Sequence, residues 1–545
     1  MHVIGSSGTG KSKLLESMIR GDVREGNGAC VIDWHGTLCT DVLRYFAFQD
    51  VGRVGDSRRV ILINPSAPDF ITGFNPFVRG EGDISVQVSR RVDATIRPWG
   101  VTNTDLTPTF SRICRILYTF MIENRETLPN AASLLHFKNK ALRELAGGKI
   151  TDSFIKAEWD ELQAITKNQD WKNEVLSTKN RLMRFVGSQS IRRFMGLRDG
   201  NLDLMEIMEK GHILLVNLGS SDYLDREAAR VFASLLLNEF FETAMRRATR
   251  TPNGEKPSTF SLYLDEFQEY VTDDVAAMLD QVRKGGLHMV LAHQHLGHFE
   301  GNDRLKESVF TNARIRVVFG GLSTPSACQL ADEMFLPDLN QRQIKKAYYH
   351  TIHLYKEETR TIRGRSSSRG GSETTSTGMS WSGIPDDGEG WFTGPESVSE
   401  SESSSSSESW QESDSETEVP VFVPTPVQEL TNEVEWSCEE KVSRVAEMLK
   451  YQQQRHCFIK LDTEKTQPLK VPFVRDHALP EGSVEGYEAE LYARQGARPA
   501  AEVDRLIRES AQAFLLVRAS PETRTIDVPG HGDGTHAEDS DEFFG

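Results

Sequence analysis

Short runs of apolar residues recur along the chain, and stretches with helical spacing of apolar positions lie between them. The runs lie at residues 29–32, 60–63, 213–218, 260–264, 288–292 and 315–319. Strands buried in a parallel sheet are apolar along their whole length and are joined by helices. The alternation therefore predicts an α/β fold with a mostly parallel central sheet.

A different pattern occupies residues 83–205, where apolar residues follow helical spacing and strand-like runs are missing. One helical stripe consists of Ile113, Ile116, Leu117, Phe120 and Met121. Further amphipathic helices are predicted over Trp159–Trp171 and Val175–Val186. We expect an all-α insertion between strands of the sheet.

Towards the carboxyl end the composition changes twice. Residues 364–419 are rich in Ser, Gly and Glu, and such a segment buries too little apolar surface to fold, which predicts a disordered acidic linker. Beyond it, the pattern predicts a helix over 438–450, a hairpin of His456–Leu461 with Leu469–Val474, and terminal helices within 481–518. The last residues form an acidic tail.

The charge is unevenly distributed. The formal net charge is -17, but residues 364–419 hold twelve Asp/Glu against two Arg, and 531–545 hold five Asp/Glu and no Lys/Arg. These two segments account for nearly all of the net negative charge, so the remainder of the chain is close to neutral and can present local basic surfaces. Net acidity therefore does not exclude a nucleic-acid partner.

Cysteine usage and hydropathy restrict the class of protein. The 6 cysteines are scattered without a C-x-x-C pair, which argues against a zinc site or disulfide framework and suits a reducing cytoplasm. We expect neither a membrane span nor a signal peptide, because no run approaches the roughly 20 apolar residues that a span needs.

A phosphate-binding loop is predicted near the first residue. A short apolar strand leads into G-x-x-x-x-G-K-S, and a helix follows, which is the context that a P-loop requires. Its backbone N–H groups would surround the phosphates of a nucleoside triphosphate, Lys11 would hold the β- and γ-phosphates, and Ser12 would ligate Mg²⁺. The predicted binding residues are Gly5, Ser6, Ser7, Gly8, Thr9, Gly10, Lys11 and Ser12. The alternative is a chance match in a glycine-rich turn.

The second half of a nucleotide-hydrolysing site is predicted at the end of another strand. The run Ser261–Leu264 is followed by Asp265 and Glu266, which is the pattern of a Walker B element. Asp265 would hold Mg²⁺, and Glu266 would act on the attacking water as a catalytic base. The alternative is an ordinary strand end with solvated acids.

The next strand ends in His293 and Gln294. Gln294 is the better candidate for a sensor of hydrolysis, because an amide can donate to phosphate and accept from water. His293 and His295 suggest a metal site instead, but no carboxylate or Cys ligand follows at matching spacing.

An arginine finger from a neighbouring subunit would complete such a site. The candidates are Arg283, which precedes the strand at 288–292, and Arg314 and Arg316, which begin the next one. Arg283 is our first choice, although any single arginine in such a position more often serves the fold or the surface.

Together these motifs resemble the HerA–FtsK superfamily of P-loop ATPases, and in particular the coupling proteins of type IV secretion and conjugation (the VirD/TraG/TraD-like group). The resemblance spans about residues 1–355 and, weakly, 421–475. In chain order, the matching residues are Gly5–Ser12, Asp33 with Gly36, Asn75-Pro76, Leu215–Leu218, Leu264–Phe267, Arg283–Gly285 and Ala292–Gln294.

The resemblance implies a RecA-like motor domain, a hexameric ring, ATP hydrolysis at subunit interfaces and DNA moved through a pore. Its division of the chain would be 1–82 and 206–363 as two parts of the ATPase domain, 83–205 as the all-α insertion domain, 364–419 as the linker, 420–518 as the completion of the ATPase domain with helices, and 519–545 as a disordered acidic tail. Relaxosome or secretion-system components are implied partners, and the tail could dock them or merely aid solubility.

The sequence departs from the family in one respect. Coupling proteins usually carry membrane helices before the P-loop, whereas here the loop starts at Gly5. We expect a cytoplasmic protein that reaches the inner face of the membrane, if at all, through a separate anchor subunit or a missing N-terminal segment.

Three functions remain open from the sequence. The first is a DNA-translocating ATPase of the conjugative type. The second is a HerA-like DNA-processing or packaging motor. The third is a non-motor ATP-binding scaffold, which would have no need of a base such as Glu266. The basic residues Lys138, Lys140, Arg192, Arg193, Lys345 and Lys346 are candidates for DNA phosphate contact, or simply solvated surface.

Overall fold

The computed structural model describes residues 1–51, 59–67, 69–96, 108–198, 202–250, 257–271, 282–299, 303–363, 371–381, 398–408 and 416–516. The chain forms two compact units. One comprises Met1–Asn340 together with the chain from Cys438 onwards, and the other comprises Gln341–Ser437.

The strands, in chain order, are β1 (His2–Ile4), β2 (Gly28–Asp33), β3 (Val60–Ile63), β4 (Phe70–Ile71), β5 (Ile213–Asn217), β6 (Phe260–Asp265), β7 (Leu287–His293), β8 (Ile315–Phe319), β9 (Ile344–Arg363), β10 (Gly371–Trp381), β11 (Val398–Glu408), β12 (Glu416–Glu435), β13 (His456–Leu461), β14 (Gln467–Lys470) and β15 (Arg498–Pro499).

The α-helices, in chain order, are α1 (Lys11–Glu25), α2 (Thr37–Gln49), α3 (Ile84–Ile96), α4 (Pro108–Asn124), α5 (Leu128–Ala132), α6 (Lys140–Gly147), α7 (Ser153–Gln163), α8 (Asn168–Gly187), α9 (Gln189–Met195), α10 (Leu204–Glu209), α11 (Arg226–Arg250), α12 (Asp303–Asn312), α13 (Thr324–Leu339), α14 (Cys438–Lys450), α15 (Ser483–Arg494) and α16 (Ala500–Leu516). The sequence also predicts a helix over Val271–Lys284, and residues 272–281 of that range lie outside the described residues.

The first unit is built on a nine-stranded sheet with the order β14-β13-β8-β1-β7-β6-β2-β5-β3. The strands from β8 to β3 in this order run parallel, and β13 joins the sheet antiparallel to β8 and β14. The predicted parallel sheet and the predicted hairpin at 456–474 are confirmed. Because these strands are parallel, the carboxyl ends of β1, β2, β6 and β7 lie side by side at the same end of the sheet.

Both faces of this sheet are buried. Along β2, Cys30 and Ile32 belong to the core on one face, whereas Ala29 and Val31 belong to the core on the other. Helices α1, α2 and α15 cover the second face, and α11 with the inserted helices covers the first. Every residue of β2 and β6 is buried, as expected for central parallel strands.

Helices α3 to α10 lie between β4 and β5. The prediction of a single helix over Trp159–Trp171 is wrong, because α7 ends at Gln163 and α8 begins at Asn168. The turn lets both tryptophans be buried, with the indole N–H of Trp159 donating to the Arg143 carbonyl at 3.0 Å and that of Trp171 donating to the Leu135 carbonyl at 3.1 Å. The predicted helix over Val175–Val186 lies within α8.

The second unit is an antiparallel ribbon. Strands β9 and β12 pair along their length from Ile344↔Glu435 to Arg363↔Glu416, and β10 pairs with β11. The sequence predicts disorder for 364–419. Within that range the structure describes β10, β11 and the first residues of β12, and the rest of the range lies outside the described residues, as does the tail beyond 516. No helix in the described part of the chain is long and apolar enough to span a membrane.

Candidate nucleotide-binding site

The loop between β1 and α1 has the backbone geometry of a phosphate cradle. Gly8 and Gly10 have φ angles of 78° and 118°, which side chains with a Cβ rarely adopt, so glycine is needed at both positions. Helix α1 begins directly after them, and the Leu14 N–H donates to the Gly10 carbonyl at 3.0 Å. The free N–H groups of the first helical turn therefore adjoin the loop, where an anion binds well.

Lys11 lies over this loop. Its ammonium donates to the carbonyls of Gly5 and Ser6, the latter at 3.0 Å, and its side chain is buried. Burial lowers the pKa of Lys11, and the neighbouring carboxylates of Glu266 and Asp265 counteract that shift. The structure thus brings the predicted phosphate-binding lysine and the two predicted acids together.

Strand order explains how these acids reach the loop. Strand β7 lies between β1 and β6, so Gln294 at the end of β7 is located between the loop and the Asp265-Glu266 pair. The Gln294 side-chain amide donates to Glu266 Oε1 at 2.8 Å. The residue predicted as a sensor therefore contacts the residue predicted as the base.

Glu266 is held by several donors. Besides Gln294, Gln268 donates to Oε2 at 2.8 Å, and His35 Nε2 lies 3.9 Å from Oε1. Burial alone would raise the pKa of Glu266, but the nearby His35 and the hydrogen bonds from Gln268 and Gln294 outweigh it and lower the pKa. The carboxylate is consequently ionised and fixed in orientation, as a base that acts on a bound water must be.

Asp265 is in a different electrostatic state. Burial, Asp33 and Glu266 raise its pKa to about 7. A divalent cation would offset this repulsion, and the exposed Ser12 hydroxyl in the first turn of α1 would supply a second oxygen ligand, so these residues fit Mg²⁺. Among the described residues, no group of three or more His, Cys, Asp or Glu could hold a metal ion. A cation here would accordingly depend on the hydroxyl and on phosphate oxygens.

Two residues of this site lie at the carboxyl end of β2, namely Asp33, its last residue, and His35 just beyond it. Asp33 is fully buried and accepts the N–H of His35 at 3.0 Å and of Cys39 at 2.8 Å, which orders the start of α2. This places His35 beside Glu266, whose carboxylate raises the pKa of His35. Asp33 ends an apolar run and is a polar strand end that the sequence predicts. His35 and Gln268 were not predicted, although His35 lies two residues from Asp33 and Gln268 lies two residues from Glu266.

Other predicted residues lie away from the loop. The sequence also places Asn64 at the carboxyl end of an apolar strand, and in the structure it follows β3, five strands from β1, which is about 24 Å at the usual strand spacing. Arg283 is exposed and precedes β7, so it lies at the amino ends of the parallel strands, whereas the loop lies at their carboxyl ends. Arg316 is mostly buried and donates to the Phe310 carbonyl, which indicates a structural role.

The alternative metal site at His293 is not supported by its surroundings. His293 is fully buried, and its Nε2 lies 2.7 Å from Nε2 of His2 on the adjacent strand β1. His295 is exposed. Among the described residues, neither histidine belongs to a group of three or more His, Cys, Asp or Glu that could hold a metal ion.

The candidate basic residues fall into two groups. Arg193 forms two hydrogen bonds to Asp504, at 2.9 and 2.7 Å, and Arg192 donates to the Val186 carbonyl, so both serve the fold. Lys138 and Lys140 are exposed in the helical insertion. In the ribbon, Lys345 and Lys346 lie over the rings of Trp436 and Tyr348, 4.7 Å from each ring centre.

Comparison with known proteins gives similarities of structure alone. No protein-family model and no curated protein matches the chain. Among solved structures, the chain is similar to the bacterial conjugative coupling protein TrwBdeltaN70 in its unbound form, with a TM-score of 0.48, 12% identity and coverage of 87% of this chain and 85% of that one. It is also similar to the plasmid coupling protein TrwB in complex with ADP and Mg²⁺ (TM-score 0.42, 15% identity, coverage 61% and 73%) and to VirB4 of Thermoanaerobacter pseudethanolicus (TM-score 0.37, 12% identity, coverage 61% and 79%).

These structures include coupling proteins, the group that the sequence motifs resemble. The order of the strands, the loop after β1 and the acids after β6 are observations on this chain itself. On those grounds, the chain has the RecA-like P-loop NTPase fold.

Proposed function

We propose that this protein is a Mg²⁺-dependent ATPase that moves DNA, as the conjugative coupling proteins do. The observation that supports ATP hydrolysis is the contact between Gln294 and Glu266 beside Lys11, at the carboxyl ends of the strands where the phosphate loop lies. A site that only held nucleotide would have no use for a buried, ionised carboxylate oriented by two side-chain amides.

In the proposed reaction, loop N–H groups and Lys11 bind the triphosphate, and Lys11 exchanges its loop carbonyls for phosphate oxygens. Ser12 and Asp265 would hold Mg²⁺, which neutralises charge on the phosphates. Glu266 orients a water molecule for in-line attack and accepts its proton. Gln294, bonded to Glu266, links the state of the phosphate to the base.

Arg283 bears on the proposal of a ring. The seven residues of β7 lie between Arg283 and the carboxyl ends of the strands, where the phosphate loop is. At the usual rise per residue, this distance is about 20 Å. Arg283 therefore cannot reach the phosphates of its own subunit. Being exposed, it is free to act in a neighbouring one, and this supports a homo-oligomer, for which the resemblance suggests a hexamer.

The DNA part of the proposal rests on the resemblance of the motifs and on the near-neutral remainder of the chain, in which Lys138 and Lys140 are exposed. Relaxosome or secretion-system proteins, and a separate membrane-anchor subunit, are the partners that this role would require. The protein would then act in the cytoplasm, at the inner face of the membrane.

A HerA-like processing or packaging motor is the second candidate, and it would share every feature of the site described. A nuclease partner would favour it, whereas a relaxase partner would favour conjugation. The fixed carboxylate of Glu266 argues against the non-motor scaffold, which would bind nucleotide with negligible turnover.

ATP hydrolysis measured with single-stranded and double-stranded DNA, across a salt series, tests this proposal. We expect stimulation by one form of DNA that declines as salt rises, because phosphate contacts release counterions. The Lys11→Ala variant is the control and should show no hydrolysis. Native mass measurement gives the number of subunits. Absence of stimulation by either DNA would refute translocation, and absence of hydrolysis would refute the ATPase.

A further inference from the structure

The turn between α14 and β13, residues 451–455, lies against the phosphate loop although it is more than four hundred residues away in the chain. The Gln454 side-chain amide donates to the Gly8 carbonyl at 3.1 Å, and the Arg455 backbone N–H donates to the Thr9 carbonyl at 2.8 Å. Two consecutive carbonyls of the loop are thus held by one turn.

Peptide geometry gives these contacts a consequence for the loop. In a trans peptide, the C=O of one residue and the N–H of the next lie in one plane and point in opposite directions. The Gly8 carbonyl shares its plane with the Thr9 N–H, and the Thr9 carbonyl shares its plane with the Gly10 N–H. Holding the two carbonyls on the outside of the loop therefore directs the two N–H groups to the inside, where phosphate would bind.

The turn is itself firmly supported. Arg455 has a φ of 69°, and its backbone carbonyl accepts the Val471 N–H at 2.8 Å while its Nε donates to the Val471 carbonyl at 3.2 Å. Gln452 donates to the Val318 carbonyl at 3.1 Å, which ties the turn to β8. A Cβ at Gly10 would lie 3.3 Å from the Arg455 Cα, so the loop packs closely on the turn.

We propose that the turn 451–455 is a positioning element for the phosphate loop, and that Gln454 sets its affinity for the triphosphate of a nucleotide. This inference rests on the proposed nucleotide binding. Gln454 touches neither the predicted base nor the metal ligands, so it acts through the loop on binding rather than on the chemical step. Loss of its hydrogen bond is expected to weaken ATP binding by roughly three- to tenfold.

The experiment uses the full chain and a fluorescent ATP analogue with Mg²⁺. Gln454→Met keeps the length of the side chain without a donor, and Gln454→Glu places an acceptor opposite the Gly8 carbonyl. We expect a higher dissociation constant and a higher KM for both, larger for Gln454→Glu, with an unchanged kcat at saturating ATP. The matched control is Gln453→Met, at the exposed neighbouring position, which should behave like the wild type.

Unchanged affinity in both Gln454 variants would overturn the inference, and so would a lower kcat with unchanged KM. Equal melting temperatures of Gln454→Met and Gln453→Met would show that the fold is not the cause of a weaker affinity. If the wild-type protein does not bind the analogue at all, the proposed nucleotide binding fails instead, so the two failures are distinguishable.

Discussion

The hydrogen bond from Gln294 to Glu266 is the most direct test of the catalytic site. Gln294→Leu keeps a side chain of similar size but removes the donor 2.8 Å from Glu266 Oε1. Hydrogen bonds to charged groups contribute about 1.5–3 kcal/mol, and if this is lost from the transition state, kcat falls roughly 10- to 150-fold. The Gln268 bond to Oε2 remains, so some orientation of the carboxylate survives.

A second effect of Gln294→Leu would favour catalysis and so act against the first. Since hydrogen bonds lower the pKa of Glu266, losing one makes the carboxylate more basic. At pH 8 the carboxylate is ionised in both proteins, so the loss of orientation should decide the outcome. A misplacement of about 1 Å in a reacting group can by itself cost a factor near 100.

Steady-state ATP hydrolysis at pH 8, with saturating ATP and Mg²⁺, gives kcat and KM for the two proteins. We expect a lower kcat with an unchanged KM, because Gln294 donates to Glu266, whereas Lys11 is held by the loop carbonyls. Gln268→Leu is the matched comparison, as it removes the donor to the other carboxylate oxygen and should lower kcat similarly. Full activity of Gln294→Leu, or a loss confined to KM, would refute this account of the site.

Four further outcomes are expected. Lys11→Ala should abolish ATP binding in calorimetry; retained binding would contradict its assignment to the phosphates. Glu266→Gln should still bind ATP but hydrolyse it about 10²–10⁴ times more slowly, measured in single turnover, and a rate near wild type would exclude it as the base. Arg283→Ala should lack ATPase activity alone and regain part of it when mixed with Lys11→Ala subunits, because a mixed interface then holds one intact lysine and one intact arginine; no recovery would argue against action between subunits. Burial lowers the pKa of His2 to about 3, so below the ordinary value near 6.5 the unfolded chain takes up a proton that the folded chain refuses. The free energy of unfolding should then fall by about 1.4 kcal/mol per pH unit between pH 6 and 4. Denaturant titrations at several pH values should show a smaller fall per pH unit for His2→Gln than for the wild type. An equal fall in the two proteins would assign the pH dependence to another group.

The sequence by itself determined those features that depend on neighbouring residues, namely the phosphate loop and the acids at a strand end. Gly8 and Gly10 are needed wherever a backbone must curl around phosphate, and an apolar run ending in Asp265-Glu266 predicts a buried strand whose polar end faces a ligand. These inferences depend on neighbouring residues alone. The parallel sheet follows as well, because strands buried on both faces must be apolar throughout.

Only the tertiary structure decided which strand ends meet. The insertion of β7 between β1 and β6 brings Gln294 to Glu266, whereas Asn64, which has the same polar position after a strand, is carried to the far side of the sheet. Likewise Gln454 reaches the Gly8 carbonyl only because β13 pairs with β8. Strand pairing depends on side-chain packing between distant segments, and the spacing of residues within one segment carries no information about which partner it will find.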